Sequence, residues 1–224
     1  MFTKGFCKNG SQAFTLAEVL ITLGIIGVVA AMTIPTLVSK YEKKVWITQL
    51  KKQVNVLSNN FQRIKADEGV DKISQTSLVN IGSLRTEFNQ TLYQNYFKLD
   101  KATSPDIESL GDGWLQTKDG AVQDFNLRDS INSTMYEVSM DINGQKGPNK
   151  VGRDRFIVYF NDFGVVSVPP AVLENRELCV TKMNAPEYNY IPDEDEASPA
   201  IAAWYGLGGY CFAKVMYDGW EMNY

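Results

Sequence analysis

The sequence predicts an α+β protein in which a long N-terminal helix packs on a C-terminal head built around an antiparallel sheet. Residues 14–69 keep a helical pattern of apolar side chains, whereas the residues from Tyr136 onward alternate like β-strands and are separated by turn residues. The chain has 224 residues, 44% of them hydrophobic and 21% charged, which is enough for one head with a core of its own.

The composition excludes several classes of enzyme. The chain contains no histidine, so it can form no Ser-His-Asp triad, no Cys-His pair and no histidine acid or base. Its three cysteines, Cys7, Cys179 and Cys211, are too few for an all-cysteine zinc site. We therefore expect a protein that is not an enzyme and that requires no cofactor.

Charge divides the chain into a basic neck and an acidic head. Residues 39–66 carry seven basic side chains against one acidic one, whereas residues 67–224 carry 13 basic and 24 acidic side chains. A head with this negative balance repels nucleic acid backbones, so no nucleic acid partner is expected. The basic neck can contact lipid headgroups or the acidic part of a neighbouring molecule.

The first half of the predicted helix is apolar on all sides. Residues 19–38 form a run of 20 without a charge. At ~1.5 Å per residue, such a helix spans roughly the 30 Å hydrocarbon core of a bilayer. We assign residues 14–38 to a transmembrane segment. Pro35 lies inside it and lacks a backbone N–H, so it is expected to kink or loosen the helix.

The second half of the predicted helix, residues 39–69, is amphipathic. Apolar residues recur at alternating spacings of three and four, which places them on one face of a helix. These residues are Ile47, Leu50, Val54, Leu57, Phe61 and Ile64. The helix is expected to end at Asp67, Glu68 and Gly69.

Glu18 lies near the start of the apolar segment, where a carboxylate is costly and normally has a cationic partner. The preceding residues 1–13 form a short, basic and polar leader. A cut after Ala13 would create such a cation, because it would release the α-amine of Phe14 four residues before Glu18.

The stretch AFTLAEVLITLGIIGVVAAMTIPTLV, residues 13–38, resembles the prepilin N-terminal signature of type IV pilins and type II secretion pseudopilins. That signature joins a short basic leader and a small residue to a Phe and an apolar segment. Glu stands at its fifth position, often with a proline further along. The matching residues are Ala13, Phe14, Thr15, Leu16, Glu18 and Pro35. The family usually has Gly where this chain has Ala13.

The resemblance implies a pilin-like fold and a structural role. A prepilin peptidase would remove the leader between Ala13 and Phe14 and methylate the Phe14 amine. Glu18 would pair with the amine of a neighbouring subunit, and the other partners would be pilin or pseudopilin subunits and their assembly platform. Residues 14–38 would span the inner membrane and later form the core of a cell-surface or periplasmic filament. The head, residues 70–224, would lie outside the cytoplasm.

Three other interpretations of the apolar segment stay open. It can be a secretory signal cut before Met32, a single-pass anchor that never polymerises, or a buried core helix. Glu18 and the helical period that continues past Ala31 argue against the secretory signal. The alternative function is that of a membrane-anchored or secreted binding protein that recognises a ligand without polymerising.

From Tyr136 onward, the head is predicted to consist of hairpins. Residues 136–142 alternate and lead into the turn Asn143-Gly144, while residues 155–160 and 165–168 flank a second turn.

A final hairpin is predicted from residues 210–217 and 220–224 around the turn Asp218-Gly219. The glycine-rich residues 206–209 are interpreted as a turn. The aromatic side chains of this region are interpreted as sheet core, and they are Trp204, Tyr205, Tyr210, Phe212, Tyr217 and Trp220.

Two cysteines remain once the leader with Cys7 is removed. In an exported head, Cys179 and Cys211 most simply form one disulfide, and a reduced buried pair is the alternative. They enclose an acidic run at residues 193–196, which is interpreted as a solvated loop.

Residues 141–154 form the one candidate metal site. Asp141, Asn143, Asn149 and Asp154 place hard oxygen ligands on a loop rich in Gly and Pro, and this chemistry suits Ca²⁺. The spacing is not that of an EF-hand, and a glycine-rich connection without an ion is the alternative.

Overall fold

The computed structural model describes residues 14–77, 96, 115–116, 121–126, 135–144, 146–183, 185 and 199–224. At residues 115–116, 122–126 and 199–205 it describes the backbone alone. In chain order the elements are α1 (Leu16–Glu68), a 3-10 turn (Ile73–Gln75), β1 (Leu115–Gln116), β2 (Val122–Asn126), β3 (Met135–Asp141), β4 (Arg155–Asn161), α2 (Pro170–Glu174), α3 (Leu178–Lys182) and α4 (Pro199–Tyr217). The chain divides into two compact units, Met1–Glu42 and Lys43–Tyr224.

In the first unit, the described part of α1 exposes its apolar side chains. The large apolar residues between Phe14 and Val38 are 42–86% exposed. The helix runs without a break through Pro35. Among the described residues nothing covers this apolar surface, which favours a membrane segment over a buried core helix.

In the second unit, the predicted amphipathic stripe is confirmed. All six of its apolar residues, from Ile47 to Ile64, are buried at 8% exposure or less. The helix ends at Glu68 as predicted, and Gly69 follows with a φ of +67°. The Gly69 N–H bonds to the Ala66 carbonyl and the Val70 N–H to the Lys65 carbonyl, which is a Schellman termination.

The sheet has four strands in the order β1-β2-β3-β4, and every neighbouring pair is antiparallel. Val138 at the centre of β3 pairs with Phe125 on one side and Val158 on the other. The predicted antiparallel head is therefore confirmed. The turn predicted at Asn143-Gly144 instead opens a longer connection, since Asp141 pairs with Arg155 across residues 142–154.

Strand β4 is covered on both faces. Its side chains alternate, and Phe160 packs edge-on against Phe61 of α1 at a ring-centroid distance of 5.1 Å. Ile157 and Tyr159, on the opposite face, lie against Gly208 and Gly209 of α4. All residues of β4 except Asn161 are consequently buried.

The predicted C-terminal hairpin is wrong, because residues 199–217 form helix α4. The glycine-rich residues 206–209 lie within this helix and form no turn. Asp218-Gly219 ends the helix: Gly219 has a φ of +74°, and the Trp220 N–H bonds to the Val215 carbonyl at 2.8 Å.

The aromatic side chains of this region are therefore helix and tail residues and do not belong to strands. Phe212 is fully buried and meets Trp220 edge-on at 6.1 Å, whereas Tyr217 is 63% exposed. Nothing is described of the side chains of Trp204 and Tyr205.

The predicted disulfide is confirmed. Cys179 of α3 and Cys211 of α4 are joined, and both are fully buried. Gly152 lies directly against the disulfide, where a Cβ atom would be 2.7 Å from the Cys211 Sγ. The acidic run 193–196 between the two cysteines lies outside the described residues.

The turn at residues 161–164 is fastened to the C-terminal part of α1. The Ser58 hydroxyl donates to the Gly164 carbonyl at 2.9 Å. Gln62 and Lys65 both donate to the Phe163 carbonyl at 2.8 Å. Gly164, with a φ of +73°, allows this approach, because a Cβ atom there would lie 2.8 Å from the Phe61 Cβ.

Candidate processing and assembly site

The start of α1 is capped by two side chains that bond to each other's residues, Thr15 and Glu18. The Thr15 N–H and the Thr15 hydroxyl both donate to Glu18 Oε2 at 2.9 Å. The Glu18 N–H donates back to the Thr15 hydroxyl oxygen at 3.2 Å. This is a capping box with Thr15 as N-cap, and it satisfies backbone donors that would otherwise lack partners.

The capping box leaves one Glu18 oxygen unused. Oε2 accepts both bonds from Thr15, whereas Oε1 has no hydrogen-bond donor within the described residues. Phe14 precedes the helix and is 86% exposed. Ala13, the other half of the predicted scissile pair, lies outside the described residues.

Two threonine hydroxyls further along this part of α1 are satisfied by the helix itself. The Thr22 hydroxyl donates to the Val19 carbonyl at 3.0 Å and the Thr33 hydroxyl to the Val29 carbonyl at 2.9 Å. Such bonds let a hydroxyl lie in hydrocarbon without another partner. By length and composition, α1 is the one helix among the described residues that can cross a bilayer.

The two glycines in this part of α1 contact no other part of the described chain. A Cβ atom added to Gly24 or Gly27 would meet no described atom within 4 Å. Glycines on a membrane helix allow close approach of another helix, so these positions remain open for contact with another molecule.

Comparison with known protein families matches residues 8–34 to the family described as the prokaryotic N-terminal methylation motif. The chain carries a prepilin-type N-terminal signature. This signature is the one found in type IV pilins and pseudopilins. The resemblance noted from the sequence is thereby confirmed over residues 8–34, which include the end of the leader and most of the segment 14–38. No curated protein and no solved structure matches the chain.

The prepilin-type signature and the exposed helix together agree with a single-pass membrane precursor with a pilin-like α+β layout. The family of this motif consists of structural subunits. Glu18 is predicted from the sequence as a residue of this site, whereas the role of Thr15 is seen only in the structure. The pattern Thr-x-x-Glu immediately before an apolar run is itself the sequence signal of a capping box.

The four residues predicted to bind calcium do come together in the head. The two oxygens of Asp154 accept the N–H groups of Asn149 at 2.8 Å and Lys150 at 2.7 Å. Asp141 accepts the Asn143 N–H at 3.3 Å and pairs with the Arg155 guanidinium at 2.9 Å. With its amide turned so that nitrogen faces these acceptors, Asn149 also donates to Asp141 at 3.2 Å.

The two carboxylates of this cluster are buried, whereas Asn143 and Asn149 are half-buried. Burial raises the pKa of Asp141 to about 6, against the opposing effect of the Arg155 hydrogen bond. Burial also raises the pKa of Asp154, against the backbone N–H donors of Lys150 and Asn149. Desolvation thus outweighs the local donors at both carboxylates.

The geometry explains the cluster without an ion. All four carboxylate oxygens accept a donor from the protein, and Arg155 supplies a positive charge. Among the described residues, no group of three His, Cys, Asp or Glu side chains is placed to hold a metal. A calcium ion would have to displace Arg155 and the backbone amides, although Asn143 Oδ1 has no described donor. Calcium binding stays a prediction of the sequence.

Proposed function

We propose that this chain is the precursor of a structural subunit of a type IV pilus or a type II secretion pseudopilus. A prepilin peptidase would cut between Ala13 and Phe14 and methylate the new amine. The N-terminal methylation motif at residues 8–34, which runs into an exposed apolar helix, is the observation that carries the proposal. The mature protein would assemble through that helix with further subunits and an assembly platform.

The capping box suggests how Glu18 can serve both the helix and the filament. The cut changes the bond before Phe14, whereas the box uses the backbone N–H of Thr15, so processing would leave the box intact. Glu18 Oε2 would keep the helix start capped, and Oε1 would accept a hydrogen bond from the methylated amine of a neighbouring subunit. Such a charge pair would offset the cost of a carboxylate in an apolar surrounding.

Assembly would exchange lipid contacts of residues 14–38 for contacts between helices. The open positions at Gly24 and Gly27 support close approach of such helices. We place the precursor in the inner membrane with the head outside the cytoplasm, by analogy with the family. The mature subunit would then belong to a cell-surface or periplasmic filament.

The N-terminal mass of the membrane-extracted protein tests the proposal. We expect a chain that begins at N-methylated Phe14. A chain that begins at Met32 would indicate ordinary secretion, and an intact Met1 would indicate a simple anchor. Mechanical shearing of cells then separates the functions, because only a filament subunit is released in large assemblies. An anchored binding protein stays with the cells, and a secreted one is found in the medium without forming large assemblies.

A further inference from the structure

The two ends of the second unit can be recognised from contacts with α1. One end is the turn at residues 161–164, which bonds to Ser58, Gln62 and Lys65. At the other end, the Lys43 ammonium group donates to the Tyr224 carbonyl. The Tyr224 hydroxyl in turn donates to the Gly152 carbonyl at 2.9 Å. The loop of residues 142–154 therefore lies at the end of the unit where α1 enters it.

This end carries cations without anionic partners. Residues 143–153 contain Lys146, Lys150 and Arg153 and no acidic residue. Lys146 and Lys150 are exposed and Arg153 is half-buried, and Lys44, which follows Lys43 on α1, is exposed. Within the described part of the chain, none of these four cations forms an ion pair. We call the four side chains the basic end.

Few negative charges balance the basic end. The tail that returns to it, residues 219–224, contributes one acidic side chain, Glu221, and the sequence next to Lys43 contributes another, Glu42. The carboxylates of Asp141 and Asp154 lie beneath the loop, where Arg155 and backbone amides already engage them. Those bonds also hold the loop in one conformation, so that little ordering is needed when its cations bind a partner.

The basic end is tied closely to the apolar span by the chain itself. Lys43 follows Val38, the last residue of the uncharged run, by five positions. Even a fully extended chain of that length reaches only about 17 Å, whatever path it takes. In a membrane-anchored precursor, the cations next to Lys43 consequently lie within reach of the headgroup layer.

We propose that the basic end, formed by Lys44, Lys146, Lys150 and Arg153, binds anionic phospholipid headgroups while the subunit is held in the membrane. The inference rests on the proposed membrane-anchored precursor. Each cation near an anionic surface strengthens binding about fivefold, or about 1 kcal/mol. The head would thus be held at the bilayer surface, and extraction of the subunit into a filament would require release of these headgroups.

An anionic lipid surface fits the basic end better than a nucleic acid or a second copy of the chain does. A nucleic acid would have to enter the space beside the bilayer against a head with a large negative balance. A second copy would have to present an acidic surface at the same level, next to its own basic end. An anionic lipid leaflet presents negative charge there without either requirement.

The test uses the full chain in nanodiscs of phosphatidylcholine, with or without phosphatidylglycerol. Acetylation of each lysine is followed by mass spectrometry. We expect Lys44, Lys146 and Lys150 to react severalfold more slowly in the discs with phosphatidylglycerol, and the protection to disappear at high salt. Lys72 is the internal control, because its ammonium lies over the Phe163 ring at the opposite end of the unit.

A charge-reversal pair provides the matched variants. Lys146→Glu with Lys150→Glu should abolish the protection of Lys44, whereas Lys72→Glu should leave it unchanged. Equal labelling in the two kinds of disc would overturn the proposal. Protection of these lysines in neutral discs would also overturn it if the protection depended on the number of subunits per disc, which would indicate a second copy as the partner. The same holds if the protection depended on added duplex DNA, which would indicate a nucleic acid. A chain that enters neither disc would instead overturn the anchored precursor on which the proposal rests.

Discussion

Gly209 of α4 lies directly against the ring of Tyr159 in β4. A Cβ atom on Gly209 would be 2.9 Å from Cε2 and 3.0 Å from Cζ of this ring and would overlap its hydroxyl group. Tyr159 is 5% exposed, so the ring is buried in the core and cannot move out into solvent without disturbing its neighbours. Only glycine at this position lets the helix come so close to the strand.

Gly209→Ala should therefore destabilise the head by about 1–3 kcal/mol, the usual cost of overpacking a core. Thermal unfolding of the detergent-solubilised chain measures the effect. Gly206→Ala is the matched control, since its Cβ would meet only the Tyr210 ring at 3.7–3.9 Å. That change should stabilise the helix by up to about 1 kcal/mol. Tyr159→Phe should rescue part of the loss, and wild-type stability of Gly209→Ala would show that α4 does not approach β4 this closely.

The Thr15–Glu18 pair predicts that capping and assembly can be separated by substitution. Glu18→Gln keeps an oxygen for the Thr15 N–H but removes the charge, whereas Glu18→Ala removes both. If the charge pairs with a neighbouring amine, both variants should be processed normally and both should yield few sheared filaments. Normal filament yield from Glu18→Gln would contradict the charge pair and leave the cap as the role of Glu18.

Substitution of Thr15 tests the cap alone. Thr15→Val removes the hydroxyl and should weaken the helix start by about 1 kcal/mol, whereas Thr15→Ser retains the cap. We expect hydrogen exchange of the amides at residues 16–19 to rise in Thr15→Val and to stay unchanged in Thr15→Ser. Equal exchange in the two variants would show that the hydroxyl contributes nothing to the start of α1.

Asp162 predicts acid sensitivity of the turn that is fastened to α1. Burial would raise its pKa, but donors from the Ser74 backbone, the Ser74 hydroxyl and Tyr136 outweigh burial and lower the pKa below its usual value. A carboxyl whose folded pKa is lowered stabilises the fold above its unfolded pKa of about 4 and loses this effect as pH falls further. The stability difference between wild type and Asp162→Asn should therefore shrink below about pH 4 in thermal unfolding. A constant difference would contradict the assigned bonds.

The ion pair of Asp141 and Arg155 tests the calcium hypothesis. If Arg155 supplies the positive charge, added Ca²⁺ or a chelator should change the Tm by about 1 °C or less. A Tm that rises by several degrees in Ca²⁺, and that no longer does so in Asp154→Asn, would show that the ion displaces Arg155. Mg²⁺ at the same concentration controls for ionic strength.

The disulfide should contribute strongly to the stability of the head. Cys179 and Cys211 are 32 positions apart, and replacing both with Ser should cost about 3–4 kcal/mol by the chain-entropy estimate. Chemical denaturation of the two forms measures this. Gly152→Ala provides an independent probe, since the new methyl group would press on Cys211 Sγ and would also require a φ of +79°. Unchanged stability of both variants would mean that α3 and α4 are held by other contacts.

Parts of the candidate site could be predicted from the sequence because their signals are local. The leader, Phe14 and Glu18 stand in a continuous pattern that the methylation motif matches. The stripe from Ile47 to Ile64 predicted the buried face of α1, because apolar residues spaced three and four apart lie on the same face of a helix. The role of Thr15 was also present locally in the pattern Thr-x-x-Glu.

Helix α4 could not be predicted in the same way. Leu207, Cys211 and Val215 recur every four residues and are all buried, which is a helical signal. Four residues rich in glycine and the pair Asp218-Gly219 gave an opposing local signal for turns. The tertiary contacts decide between them: Gly208 and Gly209 are required by the close approach to Ile157 and Tyr159, and Gly219 ends the helix.

The sequence by itself determined the long helix, its apolar first half, the processing signature and strands β3 and β4, since periodicity and composition act over neighbouring residues. Only the tertiary structure decided that Asp141 and Asp154 are engaged by Arg155 and backbone amides, and that the loop of residues 142–154 lies beside Lys43. These relationships join residues far apart in the chain, and local pattern carries no information about which distant surfaces meet when the core closes.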